Sequence, residues 1–376
     1  MSYFKKIFKA LNVIRHKASY INKATYYPEA ELKNKSQILK DFLWFIWKYG
    51  ELEPFYFTYG FDRVEMTRER IMNEYITPFS QFQIRINQLN FQNPRYDEFH
   101  GKLTGRVITG DKFYFNVFLE KFDIPTPKVY LFVKDKAPLY IDTLFSVDTS
   151  LSTEAQLRQF FSHEMDAFAK PSDGQFGNGA FSLQIKEGKV FVDNKETTLD
   201  LLISIILSAD YLVQERIYQH PKMSELNGST INSIRLQTVM DKDGMIHPFG
   251  AGLRIGRKGS SVDNWAKGGV FVGIDMEKGR LMEKGFLKPV FGTSTKEHPD
   301  SHVVFQGFEI PYYKEAEALA IKLHKFLYRC HSVGWDIAIT ENGPVFIEGN
   351  GWWEISMPQT IHGGLKKQIE TFFVCD

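Results

Sequence analysis

Two cysteines in 376 residues, Cys330 and Cys375, are too few for a disulfide framework and stand in no metal-ligand spacing. That scarcity suits a reducing cytoplasm. Charge of one sign is missing as well. Lys and Arg number 46 against 45 Asp and Glu, which leaves no basic footprint for nucleic acid and argues against such a partner. Long hydrophobic runs are also absent. The longest, Leu199–Val213, is broken by Asp200, Ser204, Ser208 and Asp210, so it is too interrupted to span a bilayer and predicts a buried helix. The first residues lack the continuous apolar segment of a secretory signal. A soluble cytoplasmic protein is expected. The ten histidines are scattered, and His163 beside Glu164 makes no zinc signature. Neither a serine nor Cys330 stands in a nucleophile-elbow context.

What the chain does have is length and aromatic rings. At 376 residues it predicts two or three lobes. Its 33 Phe and 17 Tyr point to bulky cores or to surfaces that face sugars or bases. Residues 1–105 read as a helical N-terminal region. Phe4, Phe8, Leu11 and Ile14 recur at helical spacing with Lys5, Lys6, Lys9 and Arg15 between them. Such a basic amphipathic helix over residues 1–15 either docks on its own domain or makes peripheral contact with an anionic membrane face. Ile38–Trp47 is nearly all apolar and predicts a buried helix, and Tyr49–Gly60 follows as an aromatic loop.

From Gly110 the pattern turns to small α/β units. Asp111 is an N-cap candidate for a helix through Leu119, and Pro125 and Pro127 lead into a strand. Ser152–Glu164 predicts another helix, capped by Ser150 or Ser152. A strand then ends at Lys170, followed by Pro171, Ser172, Gly174, Gln175, Gly177 and Gly179. Glycines without side chains let backbone N–H groups close on an anion, and Lys170 adds a point charge beside it. No Gly-Lys-Ser/Thr follows, so this is not a Walker A loop. A helix over 199–209, a strand turning polar at Gln214-Glu215, and a hairpin carrying Arg235 and Arg254 come next. The loop 258–269 contains Asn264 and Lys267, and Tyr313–His331 predicts a helix.

The most informative stretch is Gly334–Trp353. Two β-favouring runs flank Glu341-Asn342-Gly343, a strong hairpin signal. A turn centred near Asn342 sets Asp336 opposite Glu348 and Ala338 opposite Phe346. Alternation then puts Asp336, Glu348 and Asn350 on one face and Ile337, Ile339, Val345 and Ile347 on the other. Two carboxylates directly opposed repel, and a hard cation with oxygen ligands such as Mg²⁺ offsets that repulsion. A solvated hairpin face is the alternative on these residues alone.

In this order the parts resemble the ATP-grasp superfamily over about residues 110–360, and Tyr49–Gly60 resembles the leader of its polysaccharide-associated branch, the sugar-transfer-associated ATP-grasp proteins. The resemblance implies an α+β fold whose two lobes hold ATP between them. Its segments would be 106–150 as a small pre-grasp unit, 151–215 as the first lobe and 216–376 as the second. It makes Lys112 and Lys170 nucleotide-contacting lysines and Ser172–Gly179 the loop over the phosphates. Gln214, Glu215 and Ile217 become the segment that reads adenine, and Asp336, Glu348 and Asn350 the Mg²⁺ ligands. Many relatives carry an arginine where this chain has Gly334, so Arg235, Arg254 and Lys267 become the candidate catalytic cations. Trp352 and Trp353 replace the family's usual turn, either as an acceptor platform or as core.

The chemistry so implied joins a carboxylate to an amine through an acylphosphate, with ATP and Mg²⁺, on a cell-surface glycan precursor. Other readings are a peptide ligase making a small amide, a phosphotransferase, and a nucleotide-binding partner protein without turnover.

Overall fold

The computed structural model describes residues 25–78, 106–172, 178–260, 263–288, 291–327, 330–351 and 353–372. The expected helix at residues 1–15, as well as Gly174, Gln175, Gly177 and Trp352, lies outside them.

Helix α1 (Lys35–Tyr49) starts at an Asn34 capping box with Gln37 and stops at Gly50, whose φ of 81° an ordinary side chain would resist. It is not buried all round. Ile38, Phe42, Phe45 and Ile46 face inward, while Leu43 and Trp47 are exposed. Its apolar composition therefore overstated its burial. After α2 (Arg68–Glu74), helix α3 (Lys112–Lys121) is capped as expected, the Asp111 carboxylate accepting from the N–H of Phe113 and Tyr114. Helix α4 (Thr153–Phe160) is capped by Ser152 rather than Ser150, and Thr198 caps α5 (Leu199–Ile206). The apolar run from Leu199 is thus only part helix, and its end is a strand.

Two seven-stranded sheets, antiparallel at every pairing, organise the chain. The first contains β1 (Val129–Lys134), β2 (Ala137–Ile141), β3 (Met165–Pro171), β4 (Phe181–Lys186), β5 (Lys189–Val192), β6 (Lys195–Thr197) and β7 (Tyr211–Glu215), in the order β2-β1-β7-β3-β4-β5-β6. Strands β1 and β2 are continuous with the later ones, because β7 lies between β1 and β3. The second contains β8 (Ser233–Met240), β9 (Ile246–Ile255), β10 (Val270–Asp275), β11 (Arg280–Phe286), β12 (Ser294–Thr295), β13 (Ser332–Thr340) and β14 (Gly343–Asn350), in the order β12-β11-β10-β9-β8-β13-β14.

The main core of each sheet lies on one face, as strand alternation dictates. The other face carries the polar site residues beside smaller apolar clusters, Phe132 and Leu212 with Phe113 on the first sheet and Val239, Phe249, Phe271 and Phe286 on the second. Behind the first, Ala167, Ala169, Leu183 and Val213 pack on Leu157 and Phe160 of α4 and on Leu202, Ile203 and Ile206 of α5. Behind the second, Ile234, Leu236, Leu253, Trp335 and Ile337 pack on α6 (Tyr313–Phe326), through Ala316, Ala320 and Leu323, and on Phe115 and Leu119 of α3. α6 ends five residues before the expected His331.

The aromatic segment after α1 is a loop of turns, as expected, and most of its rings are buried. Tyr56, Tyr59 and Phe61 are buried and join Trp265, Phe271 and Phe286 of the second sheet's region in one cluster. Buried Asp41 holds this region together, bound by Lys33 at 2.7 Å, Arg68 at 3.0 Å and the Tyr56 hydroxyl at 2.8 Å. Among the described residues no helix is long and apolar enough to cross a membrane.

Candidate active site

On the first sheet, Phe168 pairs with Gln214 and Lys170 with Leu212. Directly paired residues share a face, so Lys170 and Gln214 stand together on the face opposite the α4–α5 core. Both are buried. Burial drives the Lys170 ammonium down to about 8; Lys112 pushes the same way, while Glu348 and Asp336 partly oppose it. Lys170 thus feels charges from both α3 and the second sheet, which turns the two polar faces toward each other. No hydrogen bond or ion pair ties Lys170 to another described residue, and the buried Gln214 Oε1 has no donor.

The ends of the glycine-rich loop are held. Ser172 donates its hydroxyl to the Asp111 carboxylate at 2.9 Å, and its carbonyl accepts from Lys112 Nζ at 3.2 Å. One serine therefore joins the first lysine's helix to the second lysine's strand. At the other end the Tyr211 hydroxyl donates to the Gly179 carbonyl at 2.8 Å. Gly179 has φ 74°, and a Cβ there would lie 3.0 Å from Pro171. Glu215 is exposed and its N–H donates to the Lys128 carbonyl at 2.7 Å; Ile217 is half-buried just beyond β7.

On the second sheet, Asp336 pairs with Glu348 and Gly334 with Asn350, as the hairpin predicted. The rest of the hairpin needs correction. Thr340 pairs with Gly343, so the loop is the two residues Glu341 and Asn342, and a bulge after Asp336 shifts the register. Ala338 then faces Val345 rather than Phe346, and Phe346 joins Ile337 and Ile339 in the core in place of Val345 and Ile347. The bulge is what keeps Glu348 and Phe346 on opposite faces although they are two residues apart.

Arg235 and Arg254 both reach Asp336. Arg235 donates through Nε to Oδ1 at 2.5 Å and through Nη2 to Oδ2 at 3.0 Å, and Arg254 Nη2 lies 2.9 Å from Oδ2. Burial opposes the Asp336 charge, but the two guanidiniums outweigh it and hold the carboxyl below the ordinary carboxylate range. For Arg254, burial is likewise outweighed by Asp263, Asp336 and Glu348, which hold it protonated. Lys267 is exposed on a 3₁₀ turn and takes no part in the ion pairs of Asp336.

Do these residues fit Mg²⁺? Glu348 is half-buried, and no hydrogen bond or ion pair commits its carboxylate among the described residues. Asn350 follows on the same face. Asp336 has three N–H contacts, and a carboxylate offers about four lone-pair positions. No three His, Cys, Asp or Glu among the described residues form a metal cluster. The donor set thus fits a cation that takes one or two carboxylates and completes its shell with phosphate oxygens and water, which is Mg²⁺ behaviour.

The tryptophan after the hairpin is core, not platform. Trp353 is buried, donates its indole N–H to Ser332 Oγ at 2.9 Å and packs on Phe249. It also explains Gly334: a Cβ there would stand 2.7 Å from Trp353 Cβ. An arginine does not fit at 334, and Arg235 and Arg254 supply cations from neighbouring strands. Two further residues escaped the sequence. Ser233 and Asp263 hydrogen-bond to each other and Ser233 to Arg254. Ser233's strand parity with Arg235 is the signal that could have found it.

The site draws on two antiparallel sheets, with Lys170 and Gln214 on a face of one, Asp336 and Glu348 on a face of the other, and Lys112 on α3, an α+β arrangement of the ATP-grasp kind. Residues 92–372 match the family model described as sugar-transfer associated ATP-grasp, well over half of the chain. The chain belongs to that family. No curated protein matches it. Among solved structures, D-alanyl-alanine synthetase A from Vibrio cholerae O1 biovar eltor is 12% identical, with TM-score 0.39, covering 71% of this chain and 65% of its own. Biotin carboxylase from Campylobacter jejuni is 10% identical, with TM-score 0.42 and coverages of 72% and 48%. N5-carboxyaminoimidazole ribonucleotide synthetase from Thermotoga maritima is 15% identical, with TM-score 0.34 and coverages of 65% and 42%. The chain spans less than two thirds of the length of each.

Proposed function

We propose that this chain binds ATP between its two sheets and uses it to join a carboxylate to an amine, acting on a glycan precursor at the cytoplasmic side. The observation that carries this is the set of uncommitted polar groups, the buried Lys170 ammonium and Gln214 carbonyl on one sheet and the half-buried Glu348 carboxylate on the other. Buried polar groups without partners are costly, and a ligand with an amino edge, phosphates and a cation would satisfy all three.

In this reading Gln214 Oε1 accepts from the adenine amino group. Lys112 and Lys170 neutralise phosphate oxygens. Glu348, Asp336 and Asn350 hold Mg²⁺, which when bound screens the phosphates from the incoming carboxylate. The substrate carboxylate attacks the γ-phosphorus, ADP departs, and the amine then displaces phosphate from the acylphosphate while losing its proton. Arg235 and Arg254 each keep an Nη1 amino group outside the contacts with described residues, available to the oxygens on which charge gathers. No side-chain nucleophile is required. The fold's family association with sugar transfer supports a glycan substrate bearing a carboxylate or an amine.

The test is a screen of amino acids against uronic acids and amino sugars for acceptor-dependent ADP release, with the product weighed by mass spectrometry. Joining with loss of water supports the ligase. Gain of a phosphoryl group makes the chain a phosphotransferase, and the ligase reading falls.

A further inference from the structure

We infer that Ser233 and Asp263 are positioning residues that set the Arg254 guanidinium beside Asp336, an inference that rests on the proposed reaction and deepens it. Ser233 lies directly opposite Arg254 on the adjacent strand and two residues before Arg235, so the three side chains share the polar face of the second sheet. Ser233 is buried. Its hydroxyl donates to Asp263 Oδ2 at 2.5 Å, and its backbone N–H donates to the same oxygen at 2.9 Å. Its oxygen accepts from Arg254 Nη2 at 2.7 Å and from Nε at 3.1 Å. A serine hydroxyl has one proton and two lone pairs. All three are consumed, so Ser233 has nothing left to offer a substrate or a phosphorus atom.

The chain of bonds therefore has one direction: the Arg254 N–H groups donate to the Ser233 oxygen, and the Ser233 O–H donates to the Asp263 carboxylate. Asp263 also stands 3.7 Å from Arg254 Nε as a counter-charge. What this fixes is the plane of the guanidinium. With Nε and Nη2 held on one side, Nη2 also reaches Asp336 at 2.9 Å, and Nη1 is the amino group left outside these contacts. An arginine free to rotate would lose that orientation, because its side chain carries several flexible torsions whose entropy opposes any single pose.

Asp263 is itself well seated. The turn that follows it closes through the Lys267 and Gly269 N–H groups to the Asn264 carbonyl. A Cβ at Gly269 would lie 2.7 Å from the Asp263 carbonyl. Two residues beyond Asp263, Trp265 is buried in the aromatic cluster and donates its indole N–H to the Phe286 carbonyl at 2.9 Å. The backbone that carries Asp263 is thus tied, through Trp265, to the packed aromatic core formed with the N-terminal region.

Ser233→Ala, Asp263→Asn and Ser233→Thr in the full chain test the proposal, with two readouts on each. The first is the ¹H–¹⁵N signal of the Arg254 Nε–H, assigned by its loss in Arg254→Lys. The second is acceptor-dependent ADP formation, resolved into kcat and KM for ATP. The expected result is loss or exchange broadening of the Arg254 signal in Ser233→Ala and Asp263→Asn. Their kcat should fall about 10- to 100-fold, the range for losing a partner that orients a site ligand, with the KM for ATP unchanged. Ser233→Thr, which keeps the hydroxyl, should restore both. A sharp, unshifted Arg254 signal in Ser233→Ala and Asp263→Asn overturns the positioning role, whatever the activity. So does a lost signal with undiminished kcat. If the wild-type chain forms no ADP with any acceptor, the proposed reaction fails, and the arginine signal alone decides whether Ser233 and Asp263 orient Arg254.

Discussion

Asp336 and Glu348 stand directly across the β13–β14 hairpin from one another, yet only Asp336 is tied to arginines. The two acids are therefore not equivalent. Asp336 organises Arg235 and Arg254 in addition to its place in the proposed cation site, whereas Glu348 makes no ion pair among the described residues. Glu348→Gln removes a charge that makes no ion pair with a described residue but is felt by buried Lys170 and Arg254, so it should cost clearly less stability than Asp336→Asn while Mg²⁺-dependent ADP formation is lost. Asp336→Asn strips the anion from two largely buried guanidiniums, and breaking a buried pair costs about 3–5 kcal/mol. Thermal melts of the two variants check the contrast. Equal stability loss in both would contradict it.

Lys170 ties stability to pH. Burial lowers its pKa to about 8 from the ordinary 10.5. Between those values the unfolded chain holds a proton that the folded chain has released, so folding stability rises with pH there. Below about 8 the folded protein carries a buried cation at a cost of ~3 kcal/mol, taking each pKa unit as ~1.4 kcal/mol. Lys170→Met should therefore be more stable than wild type at pH 7 and lack the rise between pH 8 and 10.5. Denaturant titrations across that range measure both. A variant less stable at pH 7, or one that keeps the rise, would show that the ammonium is not the group responsible.

Gln214 predicts a base-reading effect without a stability effect. Its Oε1 is buried and unpartnered, so Gln214→Leu leaves no new group unsatisfied. Losing one hydrogen bond to the adenine amino group should weaken ATP about tenfold and leave inorganic triphosphate binding unchanged. Calorimetry with both ligands is the check, and an unchanged ATP affinity removes Gln214 from the base site.

Gly334 is held by Trp353. Gly334→Ala forces the Trp353 backbone and Cβ aside and should cost about 1–3 kcal/mol, as overpacking does. Gly334→Arg, which introduces the arginine that the sequence resemblance implies, should be worse in stability and should not raise activity, because Arg235 and Arg254 already flank Asp336. A Gly334→Ala protein that melts with wild type would contradict this packing.

How much of this was legible in the chain depends on range. The Asp336–Glu348 pairing followed from a short turn and strand parity, and Asp111 capping α3 followed from local rules. The bulge after Asp336 was not legible, because nothing in a period-two pattern announces an extra residue; in consequence Ala338 changed partner and Phe346 took the core place expected of Val345 and Ile347. The clamp of Arg235 and Arg254 on Asp336 joins residues about 80 to 100 positions apart on three strands, and no single stretch encodes it. Ser233 looked like any strand serine until its neighbour across the ladder was known. Trp353 could have been surface or core, and only its packing against Gly334 and Phe249 decided it. Lys267, a candidate by its basic side chain and glycine neighbours, lies exposed and away from the ion pairs.

The central claim is that nucleotide phosphates and their cation lie between Lys170 and Glu348. Calorimetry of ATP binding with and without Mg²⁺, on wild type, Lys170→Ala and Glu348→Gln, tests it most directly. The expected result is a single site in wild type, at least about tenfold weaker in Lys170→Ala, with the Mg²⁺ enhancement abolished in Glu348→Gln. Wild-type affinity and full Mg²⁺ enhancement in both variants would contradict the account.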